Sequence, residues 1–268
     1  MLSKRVITSF FLVAITVLAI IYKWFCPVFA IFLIIGGLYE FFKLIEKQGI
    51  YIYKYFGMAV GVIIPLSIAF RFELTKNWEL LFFVLMLLFI FLLQFSRREE
   101  TQAVVSISTT VFGILYVAWL FSFVIKLRFL PFGAGLVAAI VLITKAGDIG
   151  AYLIGSRWGK RALIPRISPK KTIEGAISAL AFSVLAALAS KSFLPEKAVF
   201  SNMHLIAMGL FFGILGQLGD LSESLIKRSC QAKDSGGIFP GLGGVLDVID
   251  SLLFTIPAFY VYMSTVLA

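Results

Sequence analysis

Nine uninterrupted apolar runs dominate this 268-residue chain, covering residues 6–22, 27–42, 51–70, 78–95, 103–125, 130–154, 174–190, 204–221 and 245–267. A bilayer's hydrocarbon core takes about 20 apolar residues of helix to cross. Within it every backbone polar group must be bonded inside a helix or a closed barrel. The runs are continuous rather than alternating, which argues against a barrel. They predict an all-α, polytopic integral membrane protein of about nine transmembrane helices. Composition agrees: 60% of residues are hydrophobic and only 14% charged, with a mean hydropathy of +1.01. A water-soluble fold, a disordered chain and a disulfide scaffold are excluded.

Lys4 and Arg5 precede the first run and give it the charged start of a signal peptide. Lys23 and the second run behind it favour a retained helix instead. No linker or soluble segment interrupts the series, so residues 1–268 read as a single membrane domain. Residues 1–128 are bland and are expected to serve packing, lipid and subunit contact. Residues 129–268 carry the polar motifs.

The formal net charge is +10, from 24 Lys and Arg against 14 Asp and Glu. In a membrane protein such an excess gathers in cytoplasmic loops, so no nucleic-acid partner is expected. With nine spans, seventeen cations fall on the side of the N-terminus. The other side has seven: Lys23, Arg71, Lys76, Lys126, Arg128, Lys191 and Lys197. The N-terminus and the larger loops are therefore expected in the cytoplasm. The loops after spans six and eight supply that excess, and both face the same way. Cys26 and Cys230 then lie at opposite faces, where no bridge is expected. The lone histidine, His204, excludes a His-rich metal site.

Three polar constellations break the apolar pattern. Near the end of the sixth span stand Lys145 and Asp148, followed by Ala151 and Tyr152; ionisable groups within a span are costly and usually line a site. A basic loop follows, from Arg157 through Lys160, Arg161 and Arg166 to Ser168, Lys170, Lys171 and Thr172. Ser168 or Thr172 is placed to cap the seventh helix, with both lysines beside its positive end, an arrangement suited to phosphate. The composition of this loop equally fits a polybasic segment held to anionic lipid.

The third constellation carries most chemistry. Asp220, Glu223, Ser224, Lys227 and Arg228 share one helical face by their spacing. Asp247, Asp250 and Ser251 repeat that spacing on the next helix, which is expected to begin near Gly244. Between them Lys233, Asp234 and a glycine-rich turn (Pro240, Gly241, Gly243, Gly244) let backbone amides approach a ligand. Hard oxygen ligands suit magnesium, which takes one or two carboxylates plus substrate phosphates. Lysine and arginine offset charge on a transferring phosphoryl or nucleotidyl group. A phosphate monoester is already ionised near neutral pH, so no histidine base is required.

At these residues the chain resembles the phosphatidate cytidylyltransferase (CDP-diacylglycerol synthase) family. The signature runs from Ser224 through Lys227-Arg228, Lys233-Asp234 and Pro240-Gly241-Leu242-Gly243-Gly244 to Asp247 and Asp250, with every spacing kept. The likeness extends to Asp148, to the Ser168–Gly175 stretch and to the start at Arg5. Two positions depart: Leu242 stands where the family has histidine, and Val248 where it has arginine.

The resemblance implies transfer of CMP from CTP to phosphatidate, giving CDP-diacylglycerol and pyrophosphate, with Mg2+ and a homodimer. On this reading Asp220 and Asp247 hold the metal, with Asp250 and Asp234 next in order, and the number of ions is not set. Lys227, Arg228, Lys233, Lys170 and Lys171 bind phosphates, while Ser168, Ser224, Asp148 and the Gly243-Gly244 backbone shape the substrate site. The competing readings are a catalytically impaired relative, a CTP-dependent enzyme on another lipid phosphate, and a transporter. Crowding of the polar motifs into residues 145–251, with no matching inverted half, weighs against the transporter.

Overall fold

The computed structural model describes residues 2–70, 78–97, 102–195 and 200–267. Of the cations used above to set sidedness, Arg71, Lys76, Arg98 and Lys197 lie outside the described residues. The chain runs α1 (Leu2–Ile21), α2 (Phe25–Glu46), α3 (Lys54–Ala69), α4 (Trp78–Phe95) and α5 (Ala103–Gly113). A π-helical turn, Ile114–Trp119, joins α5 to α6 (Leu120–Phe129), and α7 spans Gly133–Trp158. Then follow β1 (Ala162–Ile164), β2 (Ser168–Thr172), α8 (Ile173–Ala189), a 3-10 turn (Ser190–Phe193), α9 (Asn202–Ser229), α10 (Val245–Ile249) and α11 (Leu252–Leu267).

The all-α membrane architecture stands. Among the described residues six helical stretches, against the nine spans expected, are long and apolar enough to cross a bilayer: Phe25–Glu46, Ala103–Phe129, Gly133–Trp158, Ile173–Phe193, Asn202–Ser229 and Val245–Leu267. Three shorter apolar helices, Val6–Ile21, Lys54–Ala69 and Leu80–Phe95, account for the remaining runs. Their outer faces expose Phe10, Phe11, Leu80, Val84, Leu88 and Phe95. In water such a surface would drive aggregation; against lipid it is the expected coat.

Close packing of α7, α8 and α9 builds the part of the bundle that carries the polar motifs. A methyl group at Gly209 of α9 would lie 2.5 Å from the Val184 backbone of α8, and one at Gly147 of α7 would lie 2.5 Å from Ser183 Oγ. Small residues thus bring helix backbones together where lipid supplies no hydrophobic drive. Polar side chains lock the contacts: Ser183 donates to the Ile143 carbonyl at 3.1 Å, Ser178 to Gly150 at 2.9 Å and Gln217 to Ala176 at 3.2 Å. On the other flank α2 buries Ile34, Leu38, Phe41 and Phe42 against α3 and the π-helical segment.

Two ends of the bundle are defined by long-range bonds. At one, Arg128 donates to the Ile20 and Ile21 carbonyls (3.0 and 3.1 Å), capping α1. At the other, Thr8 donates to the Pro240 carbonyl and Gln48 to that of Cys230. Arg228 reaches the Ile167 carbonyl at 3.1 Å there. The loops before α8 and after α9 therefore share one end, as the span count requires. The short β1–β2 hairpin, antiparallel with Ala162 opposite Thr172, lies there too.

Candidate active site

The site is assembled where α9 passes the break between α10 and α11. Glycine at position 219 allows that approach, since a methyl group there would fall 2.5 Å from the Asp250 carbonyl oxygen. The helical period of α9 then turns Asp220 and Glu223 toward Asp250. One carboxylate oxygen from each of the three lies within 4.8 Å of the others. Glu223 and Asp250 are buried and Asp220 partly so. Three converging carboxylates repel one another in a low-dielectric setting and persist only with compensating cations.

Lysines supply that compensation from three directions. Lys171, on β2, pairs with Asp220 Oδ2 at 2.7 Å. Lys227, two turns along α9, pairs with Glu223 one turn before it and reaches Asp247 Oδ1 at 2.5 Å. Lys145 of α7 donates to Asp148 Oδ2 (2.9 Å), Ser251 Oγ (2.9 Å) and the Val248 carbonyl (3.0 Å). A cation thus stands beside the apolar Val248, while Ser251 donates on to Asp148 at 2.9 Å.

The loop joining α9 to α10 is ordered by carboxylates. Asp247 Oδ2 accepts from Ser235 N (3.1 Å), Ser235 Oγ (2.8 Å) and Gly244 N (2.7 Å). A tight turn closes between Phe239 and Gly243, and Gly243 sits at φ +103°, a conformation glycine adopts without penalty. As expected, the last helical segment begins near Gly244, which directly precedes its first residue, Val245. It breaks at Asp250 and Ser251 into α10 and α11, which a continuous apolar run had hidden. Glu40, from α2, enters the same loop: its Oε2 accepts from Leu246 N (3.0 Å) and Ser235 Oγ (3.1 Å).

Beside the acidic group a cavity of about 410 Å³ opens between α7, α8 and α9. Asp148, Tyr152, Lys170, Lys171, Gln217 and Asp220 line it, together with small residues of α7 and α8 and with Leu163, Thr172 and Leu221. Thr172 caps α8, accepting from Gly175 N at 3.1 Å, one of the two caps the sequence offered. Glu174 accepts from the amides of Lys160 and Arg161 and ties the hairpin to α8.

Most residues singled out by sequence thus meet at this end. Asp220 and Asp250 join one acidic group; Asp148, Lys170 and Lys171 line the cavity; Ser224 is buried on the same helix as Lys227 and Arg228. Ser168 opens β2 and is half-buried. Lys233 and Asp234 are exposed on the loop. Asp247 does not stand among the three grouped carboxylates; Lys227 and the loop amides engage it. Glu223 takes that third place, on the helix face its spacing already marked. Glu40 was passed over, although a lone carboxylate in an apolar run is itself a signal.

Fold and site together define a polytopic membrane protein whose acidic and basic groups converge at one end of its helices, beside a cavity. The chain belongs to the cytidylyltransferase family, whose model matches residues 3–266. It is 31% identical to the phosphatidate cytidylyltransferase of Synechocystis sp. over an alignment of 290 residues, covering 97% of this chain and 96% of that protein. To the phosphatidate cytidylyltransferase of Bacillus subtilis it is 38% identical over 147 residues, 54% of each chain. To the Escherichia coli protein YnbB it is 37% identical over 154 residues, 58% of this chain and 50% of that one. The chain spans about half the length of these last two relatives.

Proposed function

We propose that this chain is a phosphatidate cytidylyltransferase, joining CTP and phosphatidate into CDP-diacylglycerol with release of pyrophosphate. The observation that carries the reading is the meeting of Asp220, Glu223 and Asp250 beside Lys171 and Lys227, at one end of a membrane bundle. Such a place lets a lipid phosphate meet a water-soluble nucleotide while the acyl tails stay in the bilayer.

The donor set fits a divalent cation. All three ligands are carboxylates, the hard oxygen donors that magnesium takes. Glu223 Oε1 is buried without a hydrogen-bond partner among the described residues. Asp220, Glu223 and Asp250 would hold the ion; Asp247, engaged by Lys227 and the loop amides, is the next candidate, and Asp234 the outer one on the loop. Bound magnesium would screen the CTP phosphates and offset charge developing in the transfer.

The chain's own residues do the rest. Lys171 and Lys227 bind phosphate oxygens, with Lys170, Arg228 and Lys233 extending the basic rim. Ser168 and Ser224 orient them; the amides of Gly243 and Gly244 are taken by the Phe239 carbonyl (3.1 Å) and Asp247 Oδ2 (2.7 Å) and shape the turn instead, while Asp148, held by Lys145 and Ser251, shapes the cavity wall. A phosphatidate oxygen attacks the α-phosphorus of CTP in line; its new P–O bond forms as the bond to the β-phosphate breaks, and pyrophosphate leaves. The second ionisation of a phosphate monoester falls near pH 6, so the nucleophile needs no base. On the same reading the site faces the cytoplasm of a bacterial inner membrane and the protein works as a homodimer.

Purified full-length protein in detergent, given radiolabelled CTP and phosphatidate, tests this. Lipid-linked cytidine that forms with magnesium and not with chelator supports it; none from well-folded protein rejects it. A second reading, a relative that binds CTP without turning it over, rests on the apolar Leu242 and Val248. It requires CTP binding with no product, and recovery of product in the doubly substituted Leu242→His, Val248→Arg protein.

A further inference from the structure

Among the described residues of the first half, Glu40 is a polar side chain whose position its packing does not explain. Glu40 is only 2% exposed, on a helix that otherwise buries Ile34, Leu38, Phe41 and Phe42. A carboxylate in such a setting costs several kcal/mol unless its bonds repay it. Oε2 accepts two, from Leu246 N and Ser235 Oγ, groups 206 and 195 residues away in sequence. Oε1 has no hydrogen-bond partner among the described residues.

Those two bonds fall at a position of leverage. Leu246 lies in the first turn of α10, where amides lack intrahelical partners and a side chain normally caps them. Gly244, the residue before α10, has no side chain to do so. Glu40 supplies the acceptor from another helix, while Asp247 Oδ2 takes the Gly244 amide. Ser235 bonds both carboxylates, so Glu40, Ser235, Asp247 and Lys227 form one line that ends at Glu223 of the acidic group. The loop is moulded onto Glu40: a methyl group at Gly236 would lie 2.1 Å from its Oε1, and one at Gly244 2.2 Å from its Oε2.

We propose that Glu40 is a positioning residue for the transfer site, fixing the Ser235–Gly244 loop and the start of α10 so that Asp247 and Lys227 stand in register with Asp220, Glu223 and Asp250. The proposal rests on the cytidylyl-transfer reading for its kinetic consequences and not for its structural ones. It gives the N-terminal half a direct part in the site beyond packing and lipid contact.

Two measurements on the full-length protein test it. Hydrogen–deuterium exchange, without nucleotide, reads the structural part. Glu40→Ala should speed exchange over residues 235–247 while leaving α8 protected as in the parent. Unchanged exchange over 235–247 overturns the proposal, whatever the protein catalyses. Kinetics read the second part: Glu40→Ala should raise the CTP KM or lower kcat by about tenfold, the usual scale for a group that orients others, with the phosphatidate KM unmoved. Glu40→Gln, which keeps an acceptor oxygen, should recover at least half of that loss. Adding Ser235→Ala to Glu40→Ala should cost less than the sum of the two single losses, because the bond between Glu40 and Ser235 is shared while the bond from Ser235 to Asp247 is not. Fully additive losses, or equal effects on both substrates without recovery by glutamine, overturn it. If the parent protein makes no lipid-linked cytidine while exchange responds as stated, the functional reading fails and the positioning role stands.

Discussion

The Lys171 ammonium, carried on the strand before α8, lies 2.7 Å from Oδ2 of Asp220 on α9. This contact closes the basic loop onto the acidic helix and places a buried ammonium nitrogen in the wall of the cavity. Both partners are partly exposed (25% and 37%), and a pair of that kind contributes no more than about 1 kcal/mol. It is weak enough for phosphate or a metal ion to displace.

Lys171→Ala is therefore expected to leave the thermal midpoint within a few degrees of the parent while raising the KM for CTP about tenfold or more, the cost of one charge-assisted contact. Thermal unfolding in detergent beside CTP saturation curves checks this. A large loss of stability with normal CTP affinity would make Lys171 structural.

Lys227 should behave in the opposite way. Its side chain is 11% exposed, between those of Glu223 at 0% and Asp247 at 12%. Removing one member of a buried ion pair leaves uncompensated charge and costs about 3–5 kcal/mol. Lys227→Ala is expected to lower stability by that order, and replacing Glu223 with glutamine in the same chain should return part of it. Denaturant titration of the single and double variants reads the difference.

Gly219 tests the close approach that assembles the site. Gly219→Ala drives a methyl group against the Asp250 carbonyl. Overpacking of this kind costs about 1–3 kcal/mol, and turnover should fall because Asp250 moves with its backbone. Gly237→Ala, where an added methyl group meets nothing within 4 Å, is the control and should fold as the parent does.

Much of this was legible from sequence, for identifiable reasons. Among the described residues each apolar run is helical, because lipid leaves the backbone no alternative, although only six of the helical stretches are long and apolar enough to cross a bilayer. Asp220, Glu223, Ser224, Lys227 and Arg228 share a face because a helix repeats every 3.6 residues. Register alone did not show which acidic residues converge: Asp247 and Asp250 are one turn apart, and the break at Asp250–Ser251 decides that Asp250 meets Asp220. The π-helical turn at Ile114–Trp119 left no mark within its apolar run. Glu40 was hidden because its partners lie about 200 residues away, where no local periodicity reaches.

The seventeen cations on the N-terminal side are the ground for the proposal that this side faces the cytoplasm. In a background lacking Cys26 and Cys230, a cysteine replacing the exposed Lys23 should react with an impermeant maleimide added to intact cells. A cysteine replacing the exposed Lys160 should react only in inverted vesicles. The reverse pattern would put the site outside.

Binding of Mn2+, followed by electron paramagnetic resonance, tests the acidic group itself. With CTP present, the parent protein is expected to bind the ion stoichiometrically, and Asp220→Asn, Glu223→Gln and Asp250→Asn should each weaken that binding at least tenfold while the protein stays folded. Undiminished Mn2+ binding in all three variants would contradict the account, because the ion would then be held somewhere other than where Asp220, Glu223 and Asp250 meet.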